Sequence, residues 1–203
     1  DGFPLLTTKK MANKAIRVEL EGFIKGVTDK KWYQERGCSI WDEWCNPEKV
    51  PYGKDESIKN KMKEERDLGP IYGFQWRHFG AEYTNYDADY KCQGKDQLVK
   101  AIQTIKTDPS SRRILITALN PAQEDQMALP PCHSFVQFYV SNDKKLSCQL
   151  YQRSCDETIG APYNIASYSL LINMIAQVCG LDVGEFIHTI GDGHIYLSHL
   201  EQV

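Results

Sequence analysis

Cys132 follows two prolines in the run Leu129-Pro130-Pro131-Cys132-His133, at the mouth of a predicted strand. Proline pins its own φ and restricts the residue before it, so a thiol in this position is held rigidly. The nucleophilic form is the thiolate, and a free thiol titrates at about 8.5, so nearby positive charge is needed near neutral pH. Two clusters at element ends could supply it, Ser111-Arg112-Arg113 and Arg153-Ser154. Arginine forks and serine hydroxyls suit phosphate oxygens, so the combination points to nucleophilic chemistry on a phosphorylated small molecule. Each part also has an ordinary reading: a free cysteine is commonly core, and an Arg/Ser cluster commonly solvates a surface. A cysteine phosphatase would carry arginine six residues after its nucleophile, whereas this chain has Phe138.

Three further groups could bind a ligand. Asp156 precedes Gly160-Ala161-Pro162-Tyr163-Asn164, and an amide at a helix start can read the edge of a nucleobase or simply cap its helix. His194 and Tyr196 could hold a sugar hydroxyl or be structural. The aromatic runs Trp41-Asp42-Glu43-Trp44 and Leu68 to Arg77 could be core or a platform for a flat ligand.

The elements that must position these residues follow from periodicity. Apolar residues at Ala12, Ile16, Leu20, Phe23 and Ile24 predict a helix from Met11 to Val27, with Glu19 beside its buried face. Residues 45–67, polar and densely charged, predict a surface insertion. A helix is expected over Gln97 to Thr107, stopped by Asp108-Pro109, and strands over Arg113 to Leu119, Ser134 to Val140 and Leu146 to Gln152. From Asn164 to Cys179 apolar residues occupy nearly every side, which predicts a buried helix capped by Asn164 and stopped at Gly180. Helices and strands without regular alternation give an α+β fold in one domain.

Composition narrows the function class. With 203 residues, 41% of them hydrophobic, the chain can bury one sizeable core. A net charge of -3 argues against a general nucleic-acid or membrane-surface binder. Seven scattered cysteines without a CxxC pair predict reduced thiols in a cytoplasmic protein rather than a zinc site or disulfide framework. No stretch reaches the length of a membrane span. Both ends read as if cut within elements, which predicts further segments beyond them.

In order and approximate spacing, these segments resemble thymidylate synthase along nearly the whole chain. The resemblance is carried by Thr7-Thr8-Lys9-Lys10, Trp41-Asp42-Glu43-Trp44, Leu68-Gly69-Pro70-Ile71-Tyr72-Gly73, Ser111-Arg112-Arg113, Leu129 to His133, Cys148 to Asp156, Asn164 to Tyr168 and His194-Ile195-Tyr196. It implies a large mixed sheet with a buried central helix, and sheets packed back to back in a homodimer. It implies reductive methylation of dUMP to dTMP, with 5,10-methylenetetrahydrofolate as co-substrate and no metal. The catalytic set it implies is Cys132, Glu19, Tyr72, Asn164 and Arg153. Arg153 and Ser154 would hold the phosphate, joined by Arg112 and Arg113 of the partner subunit. Asn164 would read the uracil edge, His194 and Tyr196 the ribose 3'-hydroxyl, and Asp156, Trp41 and Gly160 would position the pterin, with Asp156 also counted among the substrate contacts.

Asn164 separates the expectations. The related dCMP hydroxymethylases carry aspartate there, so asparagine points to uracil; a dUMP or dCMP hydroxymethylase and a non-catalytic nucleotide-binding homologue are the alternatives. Two stretches depart from the family pattern. Glu21-Gly22 stands where a core tryptophan is common, and Glu157-Thr158-Ile159 replaces a more apolar run. The family's N-terminal phosphate-loop arginine and C-terminal tail have no counterpart in these residues.

Overall fold

The computed structural model describes residues 2–7, 9–44 and 64–202. The insertion expected over 45–67 lies outside the described residues except for its last four. Contacts group the chain into two units, one comprising Asp1–Ala12, Val99–Ile116 and Cys132–Val203, the other Asn13–Leu98 and Thr117–Pro131.

The second unit is helical. Helix α1 spans Asn13–Lys25 and buries Ile16, Leu20 and Phe23 at three- and four-residue steps, with Glu19 and Gly22 on the buried side. It ends at Gly26, whose φ of +76° is left-handed and favours glycine. Helix α2, Lys30–Glu35, is capped by Asp29, whose side chain accepts from the Lys31 N–H at 3.0 Å. Lys30 is buried, and its ammonium donates to the Trp44 carbonyl at 2.9 Å, which ties α2 to the Trp41–Trp44 turn. Helix α3, Tyr72–His78, packs on α1, and the Arg77 guanidinium donates to the Ile24 carbonyl and to Asp96.

Buried amides in this unit satisfy one another. Gln75 is wholly buried; its amide nitrogen donates to Pro70 O at 2.8 Å and Gln123 Oε1 at 2.9 Å, and its side-chain oxygen accepts from Asn120 at 3.1 Å. Without these bonds each buried polar group would cost about 1–3 kcal/mol.

The first unit is built on a four-stranded mixed sheet of order β1-β2-β3-β4. Strands β1, Leu115–Thr117, β2, His133–Val140, and β3, Lys145–Asp156, fall where sequence alternation predicts strands. The first is shorter than expected. β3 is longer, because its pairing with β4 continues to Asp156 opposite His194. β2 and β3 form an antiparallel hairpin, with Val136, Phe138, Leu146, Cys148 and Leu150 turned inward. β4, Asp182–His194, runs parallel to β3, and the sequence marks only its end. Its glycines hide it: a Cβ on Gly191 would lie 3.0 Å from the Arg153 carbonyl oxygen, so close strand approach requires the residues that disguise the strand.

Helix α4 spans Gln97–Thr107, as its periodicity predicts, and helix α5, Gly160–Cys179, packs on β3 and β4. Two expectations for α5 need correcting. It starts four residues before Asn164, because Pro162 is tolerated in a first helical turn where backbone N–H groups lack intrahelical acceptors. Asn164 therefore lies inside the helix and does not cap it. The helix is also not buried on every side, since Met174 and Val178 are exposed. It closes, as expected, at Gly180, with φ +68°.

Gly69 tests how tightly the helical unit is set. Its φ is +71°, and a Cβ there would overlap the Gln126 carbonyl oxygen; Gly80, at φ +83°, has nothing within 4 Å. Gly80→Ala is expected to cost about 1–2 kcal/mol, the left-handed backbone penalty alone. Gly69→Ala must also displace backbone and should cost at least ~2 kcal/mol more, measured by urea denaturation.

Candidate active site

The sheet unit brings most of the expected site residues together around the carboxyl end of β3. Cys132 enters β2, and its carbonyl accepts the Arg153 backbone N–H at 2.9 Å. Burial pushes the Cys132 thiol above its ordinary value, while the positive charge of Arg153 pulls it back. Arg153 thus acts in the expected direction, yet within this chain burial wins.

His133 is buried opposite Gln152 in the β2–β3 register, its ring edge-on to Tyr168 at 5.2 Å. Desolvation lowers its pKa to about 4, with a hydrogen bond to Asn164 opposing and His188 assisting. His133 is therefore neutral near pH 7 and adds no charge beside the thiol.

Asn164 projects from the second turn of α5 into a polar chain. The Gln152 amide nitrogen donates to Asn164 Oδ1 at 3.0 Å and to the Ser154 carbonyl at 2.9 Å, and His188 Nε2 lies 2.9 Å from Gln152 Oε1. Gln152 and His188 were not among the sequence candidates. One signal was present: Gln152 continues the inward series Leu146, Cys148, Leu150 of an alternating strand, where a polar residue needs a partner.

Asp156 accepts from the Thr158 backbone N–H at 3.0 Å. A Cβ on Gly160 would stand 3.5 Å from Asp156 Cβ and 3.7 Å from Asn164 Oδ1, so these three residues form one corner. Ser154 pairs with Asp192 across β3 and β4. His194 Nδ1 lies 3.1 Å from Asp192 Oδ1, and the His194 ring meets Tyr196 edge-on at 5.1 Å. Arg112 and Arg113 are exposed after α4.

The helical unit holds Glu19, Trp41 and Tyr72. Phe23 stacks on Tyr72 at 4.7 Å, and Trp41 meets Tyr72 at 6.1 Å and Phe23 at 6.4 Å. Burial raises the Glu19 pKa to about 7, and the Trp41 indole opposes the shift. The indole opposes it as a hydrogen-bond partner of the Glu19 carboxyl, so its N–H faces Glu19 from the aromatic wall.

The profile of the family described as "Thymidylate synthase" matches residues 1–203. The chain belongs to the thymidylate synthase family. It is 54% identical over 201 residues to thymidylate synthase of Homo sapiens, covering 99% of this chain and 62% of that protein. It is 51% identical over 209 residues to thymidylate synthase of Saccharomyces cerevisiae, covering 99% and 67%. Against a bifunctional dihydrofolate reductase-thymidylate synthase of Zea mays the identity is 54% over 198 residues, covering 98% and 37%. The chain thus spans between 37% and 67% of the length of these relatives.

Both stretches that depart from the family pattern take part in packing. Gly22 lies under the ring of Tyr33, and a Cβ there would stand 2.5 Å from Tyr33 Cζ. Lys9 donates to the Thr158 carbonyl at 2.7 Å, and the Glu157 backbone N–H donates to the His194 carbonyl at 3.0 Å.

Glu19 and His133 link stability to pH with opposite signs. A carboxyl raised from 4.5 to about 7 binds its proton more tightly in the native state, so stability falls as pH rises through that window. A histidine lowered from 6.5 to about 4 does the reverse, losing stability as pH falls. The difference between Glu19→Gln and the parent isolates the first term. The variant should gain on the parent between pH 4.5 and pH 7, by up to about 3 kcal/mol, in urea denaturation at pH 5 and pH 8.

Proposed function

We propose that this chain carries the catalytic machinery for reductive methylation of dUMP to dTMP. One observation carries this reading: Cys132, Arg153 and Asn164 gather on β2, β3 and α5 of the same unit, linked through His133 and Gln152. Membership of the family supports it.

In the proposed reaction the Cys132 thiolate adds to C6 of uracil, moving charge toward O4 and making C5 nucleophilic. Asn164 pairs with the N3–O4 edge; with Oδ1 already accepting from Gln152, its amide nitrogen remains to donate to O4. Arg153 and Ser154 hold the 5'-phosphate, and His194 and Tyr196 the 3'-hydroxyl. Asp156, Gly160 and Trp41 position the pterin, the aromatic wall of Trp41 suiting a flat heteroaromatic ring. When bound, 5,10-methylenetetrahydrofolate supplies the one-carbon unit and the hydride. A carboxyl with a pKa of about 7, as Glu19 has, can hold or release a proton near neutrality, and Tyr72 takes part in the same proton transfers. Once C5 holds the one-carbon unit, loss of the C5 proton breaks its bond to the folate nitrogen. Hydride addition to the resulting exocyclic methylene then breaks the C6–S bond and frees the Cys132 thiolate, giving dTMP and dihydrofolate.

The reading includes a homodimer whose sheets pack back to back, with the α5 side as the buried centre and Arg112 and Arg113 reaching the partner's phosphate. The sheet face opposite α5 supports this: Phe135, Tyr139, Tyr151 and Ile187 are exposed, and Phe135 stacks on Tyr151 at 5.8 Å. The reading places the protein in a reducing cytoplasm, which its scattered cysteines without a CxxC pair support; among the described residues no helix is long and apolar enough to cross a membrane.

Three outcomes are expected. Cys132→Ser should lose at least ~10³-fold in kcat and fail to form a stable adduct with 5-fluoro-dUMP and methylenetetrahydrofolate on mass spectrometry. Normal turnover by that variant, or a hydroxymethylated nucleotide from the parent, would overturn the reading. Asn164→Asp should move preference from dUMP toward dCMP by at least ~10²-fold in relative kcat/KM, read by competition assay. For the shared site, mixing inactive Cys132→Ser chains with Arg112→Ala/Arg113→Ala chains should restore turnover, because each hybrid dimer regains one complete site.

A further inference from the structure

Tyr33 lies on no motif, yet it is wholly buried on α2. Its ring lies directly over Gly22 of α1, where even one added methyl group would overlap it. Its hydroxyl donates to the Val27 carbonyl at 3.1 Å, which fixes the far end of the ring to the turn after α1. Trp32 closes over it edge-on at 5.1 Å, and the Arg36 guanidinium lies 4.1 Å above Trp32. The Tyr33 carbonyl accepts the N–H groups of both Arg36 and Cys38, starting the turn that leads to Trp41.

Two residues of the proposed folate site lean on this ring. Glu19 is one turn before Gly22 on the same face of α1, and its charge acts on Tyr33. Trp41 lies 6.5 Å from the Tyr33 ring centroid. The titratable groups facing Glu19 are Tyr33 of α2 and Cys38 of the following turn, both pushed up by burial and by the carboxylate itself.

We infer that Tyr33, seated in the space left by Gly22, is a positioning residue that holds Glu19 dry and Trp41 in place for the folate co-substrate. The inference rests on the reading of Glu19 and Trp41 given above. The tyrosine restores from α2 the aromatic bulk that α1 lacks at Gly22. It does so with a polar tip, which the Val27 carbonyl satisfies.

Tyr33→Leu tests this directly. It opens the gap, and it should raise KM for 5,10-methylenetetrahydrofolate by at least ~10-fold while leaving KM for dUMP within about twofold. Water entering beside Glu19 should also lower that carboxyl, moving the acid limb of the pH–rate profile to lower pH. The same change should remove the pH-dependent stability difference between Glu19→Gln and Glu19 backgrounds. Tyr33→Phe, which keeps the ring, should retain the parent's KM and pH profile to within about threefold. If Tyr33→Leu does not fold, Gly22→Trp/Tyr33→Leu, which refills the gap from α1, carries the test and should recover folate KM. Unchanged folate KM and an unchanged Glu19 titration in a folded Tyr33→Leu chain would overturn the inference. If instead Glu19→Gln turns over normally while Tyr33→Leu still shifts the Glu19 titration, the catalytic reading of Glu19 fails and the packing role stands.

Discussion

The sheet unit turns on a single amide. Gln152 is an inward residue of β3 in a dry interior, so both ends of its side chain must find partners. It finds them on α5, on β4 and on its own strand: Asn164, His188 and the Ser154 carbonyl. Slipping any of these elements by one residue would strand a buried polar group. The register of the sheet and the orientation of Asn164 are therefore set by the same hydrogen bonds. A residue that discriminates nucleobases by donor and acceptor needs such a fixed orientation, because a freely rotating amide offers both edges equally.

Burial acts on the titrating residues with one tendency, favouring the neutral form of each. It raises Glu19 and Cys132 and lowers His133. Near neutral pH the Cys132 and His133 side chains therefore hold little charge of their own. In the proposed reaction this suits a neutral pyrimidine that becomes anionic only when attacked, since preorganised donors then meet charge as it develops.

Much of this was legible in the residues. The α1 face, α4, the β2–β3 hairpin and the Gly180 stop follow from periodicity and turn chemistry, and the motif runs carried the family. Other features were hidden for identifiable reasons. β4 is disguised because contact with β3 at Gly184 and Gly191 requires glycine, which reads locally as loop. Asn164 imitates a cap because its residue type favours that role, whereas Pro162 starts the helix earlier. Gln152 gave a readable signal in its alternating strand. Tyr33 gave none, because its importance lies in what is missing from Gly22 on another helix.

That pairing constrains the order in which the two residues could have arisen. A side chain at position 22 and a tyrosine ring at 33 cannot occupy the same space, so a lineage starting from a bulky residue on α1 had to lose it before the ring could settle. A chain with neither would carry a cavity beside a buried acid, at a cost in stability. Once the ring is in place, return is blocked from both sides, and the two positions behave in inheritance as one character.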